Sequence, residues 1–71
     1  MPSYCVNKNE QTNGDHEVHD LTPGTCDHLP DSRNRLDLGY HSSCSSAVLQ
    51  AKQTYRQSNG CKHCTPTCHT T

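Results

Sequence analysis

The 71 residues include six Cys and six His, but only three Val, five Leu, one Met and three Tyr, with no Ile, Phe or Trp. That inventory excludes a large apolar core, so a chain this short needs a cross-link or a metal to order it. Six basic residues against seven acidic ones give a net charge of −1, which excludes a polycationic nucleic-acid surface, and no apolar run is long enough to span a membrane.

Tyr4 to Lys8 alternates, with Tyr4 and Val6 on one face and Cys5 and Asn7 on the other, as a short strand does. Asn13-Gly14 signals a type I′ hairpin turn, with Glu17-Val18-His19 as the returning strand. Residues 21–34 hold Pro23-Gly24, Pro30 and Cys26 and read as loop. Arg35 to Tyr40 alternates again and places Leu36, Leu38 and Tyr40 on one face. A helix follows, with Ser42 or Ser43 expected to cap it through the hydroxyl. Cys44, Ala47, Val48, Ala51 and Tyr55 form its apolar stripe, and Asn59-Gly60 is expected to end it with Gly60 left-handed. The expected fold is α+β: a small three-stranded antiparallel sheet, one helix and a Cys-rich C-terminal tail, in a single Cys-stapled domain over residues 1–71.

The chemistry concentrates in that tail. Cys61-Lys62-His63-Cys64 places two thiols three positions apart, the spacing of a zinc knuckle. Cys68 and His69 lie close enough in sequence to reach the same centre, and Cys26 can close it from the long loop. The expected metal ligands are Cys26, Cys61, Cys64 and Cys68, with His69 the alternative to Cys68 and zinc the expected ion. Six Cys without a visible export leader favour reduced thiols and a cytoplasmic setting; three disulfides, with fifteen connectivities, are the alternative. Thiol redox chemistry at Cys61 and Cys64 would need a helix N-terminus there, yet the predicted helix ends before Cys61 and Pro66 disfavours another.

Cys44 sits on the apolar stripe, where it can pack as a small hydrophobe or cross-link. Cys5 lies opposite Tyr4 and Val6, outside the main cluster. His16-Glu17-Val18-His19 lacks the zincin spacing, because its two His are three apart on a strand and face opposite ways. Both are expected to be solvated or hydrogen-bonded, and His28, His41 and His63 to sit at the surface or in turns. No grouping of Ser, His and acid and no Gly-rich phosphate loop points to catalysis. These readings describe a non-enzymatic structural zinc-binding or adaptor module, with no nucleic-acid or membrane partner and room for a protein partner. The alternatives are a disulfide-stapled extracytoplasmic protein and a thiol redox or metal-handling protein.

Several segments also carry a resemblance. They are Asn13 to His19, Cys26 with Leu29-Pro30, Asn34-Arg35 with Leu38-Gly39, Ser43-Cys44, Ala47-Val48, Ala51-Lys52, Asn59-Gly60-Cys61 and Cys68-His69-Thr70. Together they resemble a family of short uncharacterised bacterial Cys/His-rich proteins over most of the chain, which implies an ordered bacterial single-domain protein. A weaker similarity links the chain to Ada-type metal-binding domains, where a strand and a helix precede a zinc-binding CxxC. That similarity implies Cys26, Cys61 and Cys64 as ligands. The second Cys those domains carry soon after the first has no counterpart here in residues 27–43.

Overall fold

The computed structural model describes residues 2–27 and 29–70; His28 lies outside the described residues. Alternation of apolar and polar side chains builds three strands, β1 (Ser3–Asn7), β2 (His16–Asp20) and β3 (Arg35–Tyr40). One helix, α1 (Cys44–Ala51), follows, and a short strand, β4 (Ser58–Gly60), precedes the Cys-rich tail. The α+β class is as the sequence predicts, but the sheet has four strands and is mixed. Its order is β3-β1-β2-β4, with β1 antiparallel to both β2 and β3, and β4 parallel to β2.

The first hairpin differs from the type I′ expectation. No non-glycine residue among those described has positive φ, so Asn13 cannot take the conformation a type I′ turn requires. Instead the Gly14 N–H donates to the Gln11 carbonyl and the Gln11 N–H to the Asp15 carbonyl. Gly14, at φ 91°, supplies the single left-handed residue after the turn.

A bulge corrects the face assignment on β3. The β1–β3 register steps from Tyr4↔Gly39 to Cys5↔Asp37, so Leu38 is the extra residue. A one-residue slip reverses every later side chain. Leu38 stays in the core while Tyr40 is turned out and left 73% exposed.

The helix is also shorter than the stripe suggests. The Gln53 and Thr54 N–H groups donate to the Gln50 and Ala51 carbonyls, tightening the chain after Ala51 into an i→i+3 turn. Tyr55 lies beyond that turn, stacked on His16 with ring centroids 4.0 Å apart. Ser43 occupies the N-cap position, yet its hydroxyl pairs with Ser45 Oγ and makes no capping bond. Asn59-Gly60 does not end the helix. Both residues belong to β4, and Gly60 has no positive φ.

Tyr4, Val6, Val18 and Leu38 meet Ala47 and Ala51 of α1 in the core, with Leu36, Cys44, Val48 and Tyr55 packed at its margin. Two small Ala on the buried side of α1 let the helix lie close to the sheet. No helix among the described residues is long and apolar enough to cross a membrane.

With so few core side chains, each one weighs heavily. Val6→Ala removes two methyl groups from a fully buried site and is expected to cost about 2–3 kcal/mol. Leu49→Ala, at a position 66% exposed, is expected to cost less than about 0.5 kcal/mol. Urea denaturation of the two variants checks the contrast.

Candidate metal centre

The sheet face turned away from α1 carries the chemistry. Because Val18 points into the core, its strand neighbour His19 points to the opposite face, where it is fully buried. The parallel β2–β4 pairing runs His16↔Ser58, Glu17↔Asn59 and Val18↔Gly60. The Cys61 N–H then donates to the Val18 carbonyl at 3.0 Å, carrying the ladder one step further. Cys61 is thereby set beside His19, and it too is fully buried.

The next residues form a closed turn. The Thr65 N–H donates to the Cys61 carbonyl at 2.9 Å, and the Thr65 hydroxyl reaches the carbonyls of Val18 and Cys61. This turn brings Cys64 back toward Cys61. Cys26 arrives from the loop that follows β2, after a turn in which the Thr25 N–H donates to the Thr22 carbonyl around Pro23-Gly24.

The result is one cluster of four donors: His19, Cys26, Cys61 and Cys64, all within 4.8 Å of one another. His19 Nδ1 lies 3.6 Å from Cys26 Sγ and 3.7 Å from Cys64 Sγ, and the Cys26 and Cys61 sulfurs are 4.0 Å apart. These are three of the six separations among the four donors, and the group can hold a metal ion. Backbone N–H groups support two of the sulfurs: Asp20 donates to Cys64 Sγ and His63 to Cys61 Sγ, each at 3.4 Å. Such donors favour the thiolate form that binds metal. Behind the ring, His19 Nε2 lies 3.8 Å from Glu17 Oε1, so a carboxylate faces the nitrogen that is not in the cluster.

Without a cation the Cys61 and Cys64 thiols are held protonated. Burial pushes Cys61 and Cys64 above the usual thiol range. Cys5, paired across β1–β2 with His19 and fully buried, is pushed up to about 11 by burial. It packs beside the cluster as a neutral thiol and is not one of the four donors.

Cys26, Cys61 and Cys64 thus come together, whereas Cys68 does not join them. It forms a disulfide with Cys44, with Cα atoms 6.2 Å apart. The cause is the 3₁₀ turn Pro66–Cys68, which follows Thr65 and redirects the chain toward α1. His69 is elsewhere too, its Nδ1–H donating to the Gly60 carbonyl at 2.9 Å. The fourth donor, His19, was expected to be solvated or hydrogen-bonded. His16, on the opposite face as its spacing requires, sits 2.9 Å from the Asn7 carbonyl through Nδ1. His41 occupies the turn before α1, near Leu38 O and Ser46 Oγ.

Comparison with protein-family models, with curated proteins and with solved structures finds no match to this chain.

Two substitutions test the architecture of the centre. Glu17→Gln keeps the size of the side chain but removes the charge facing His19. It is expected to weaken metal binding about ten- to a hundredfold in a competition titration with a chromophoric chelator. Gly60→Ala is expected to be more severe. A Cβ there would stand 2.7 Å from the Cys68 carbonyl carbon and 2.8 Å from the Thr65 carbonyl oxygen, both backbone atoms. The tail must move to admit it, so the variant should lose metal affinity and thermal stability together.

Proposed function

We propose that this chain is a small zinc-binding domain without catalytic activity, in which Cys26, Cys61, Cys64 and His19 hold one structural ion. The single observation carrying this reading is the geometry of the four donors. Zinc binds sulfur at about 2.3 Å and imidazole nitrogen at about 2.0–2.1 Å. A regular tetrahedron with those radii has edges of about 3.8 Å between sulfurs and about 3.6 Å between sulfur and nitrogen. The separations of 4.0, 3.6 and 3.7 Å match within a few tenths of an ångström. Three thiolates and one imidazole are also a donor set that suits zinc over hard cations such as magnesium or calcium.

With four protein ligands the coordination shell is closed, which is the mark of a structural site and leaves no position for a reacting water. The ion ties β2, the Cys26 loop and the tail into one unit, and its binding energy becomes folding energy for a chain short of apolar residues. A domain stabilised in this way suits an adaptor presenting its surface to a protein partner. Six dispersed basic residues among seven acidic ones argue against a nucleic-acid partner.

Native mass spectrometry of the full chain tests the reading. One zinc per chain is expected, removed by a strong chelator with loss of the folded circular-dichroism signal. His19→Ala and Cys61→Ser should lose the ion, while a Cys44→Ser, Cys68→Ser double variant should keep it. Failure of the wild type to retain zinc, or retention by His19→Ala with unchanged affinity, overturns the assignment. Acid should empty the site. Because burial raises the Cys61 and Cys64 thiols, protons are held more tightly and compete with the ion as pH falls. With three thiols in the set, the affinity should change by up to about a thousandfold per pH unit near neutrality.

A further inference from the structure

The second sulfur pair of the molecule stands apart from the metal cluster. Cys44 is the first residue of α1, and its disulfide partner Cys68 closes the last 3₁₀ turn. Both are partly exposed, and both line a groove of about 500 Å³. Val48 and Leu49 form the apolar wall of that groove, and Lys52 is the one charged residue among those lining it.

We propose that this disulfide is an exchange site, opened by a small aliphatic dithiol that carries an anionic end group and re-formed in the reverse reaction by the cyclic disulfide of that same compound. Four observations at the groove support it. Both cysteines are reachable, because they are partly exposed and line the open groove. The helix start favours a thiolate at Cys44: the first turn carries no acid, and the Ser43 hydroxyl is turned to Ser45 rather than to the backbone N–H groups. Thr67 Oγ1 lies 3.4 Å from Cys44 Sγ and can donate to that thiolate. The groove also matches the substrate class, since an aliphatic body can lie on Val48 and Leu49 with its carboxylate toward the Lys52 ammonium.

The chemistry is a two-step exchange. One thiol of the dithiol, as thiolate, attacks Cys68 Sγ. The Cys44–Cys68 bond breaks and its electron pair leaves on Cys44, the sulfur whose thiolate the helix start stabilises. The second thiol of the reagent loses its proton to solvent and attacks its own sulfur in the mixed disulfide. Cys68 is released as a thiolate and takes a proton from water. The protein gains two electrons, and the dithiol gives up two to become a cyclic disulfide. Opening also frees the turn that lies against Gly60, the residue before Cys61.

The test uses the full, metal-loaded chain without denaturant, with dihydrolipoate and its neutral analogue dihydrolipoamide as probes. Newly formed thiols are trapped by alkylation, located by peptide mass, and zinc content is read on the same samples. The expected result is alkylation of Cys44 and Cys68, several-fold faster with the acid than with the amide. Lys52→Met should abolish that preference, and Ser45→Glu, which adds an anion to the first turn, should slow opening about tenfold. Opening only after denaturation, or equal rates for wild type and Ser45→Glu, overturns the exchange site. Equal rates for acid and amide overturn the substrate class. Zinc content reports on the metal site separately, so failure of either reading is recognised without the other.

Discussion

The donor cluster depends on one hydrogen bond at the edge of the sheet, from the Cys61 N–H to the Val18 carbonyl. In a parallel pair the bonds are evenly spaced, so this contact extends the β2–β4 register by one residue and sets Cys61 beside His19. β4 has only three residues and adds no apolar side chain to the core. Polar contacts hold it instead. Asn59 Oδ1 accepts from the Thr70 N–H, and Gln57 Nε2 donates to Asp15 Oδ1 and to the Asn13 carbonyl. The same segment thus fastens the first hairpin, the tail and the four clustered donors.

What the sequence reveals follows from which elements have a period. β1, β2 and β3 show themselves through alternation, and α1 through its Cys44–Ala47–Val48–Ala51 stripe, because each must bury one side. Ser58-Asn59-Gly60 has no period and poor strand propensity, so nothing local marks it as β4. His19 was missed for the same reason. Its partnership with Cys61 is created by register with a strand that cannot be read from the sequence. A usable signal did exist: strand alternation turns His19 away from the face of Val18, onto a second face that already carries Cys5.

Cys68 shows the complementary limit. Spacing reports how far a side chain can reach but not which way the chain turns, and Pro66 begins the turn that carries Cys68 to α1. Leu36, Leu38 and Tyr40 show it again on β3, where one extra residue in the register sends Tyr40 out to solvent. The thiols at 26, 61 and 64 were easier to associate, since the CxxC turn is a local unit and the loop carrying Cys26 has few other constraints.

The two sulfur sites divide the work that a larger core would otherwise do. A cross-link spanning 24 residues, such as Cys44–Cys68, stabilises a fold by about 3–4 kcal/mol in the loop-entropy model. The four metal donors connect segments from His19 to Cys64. These two constraints overlap, because Cys61 and Cys64 lie inside the loop that the disulfide closes while His19 and Cys26 lie outside it. With that loop closed, the tail half of the metal centre has already lost much of its freedom, so an arriving ion has less chain to order. The stabilisations that a bound ion and the disulfide would contribute are therefore not simply additive. With an ion bound, each constraint would make the other cheaper to form in a chain with so few apolar side chains.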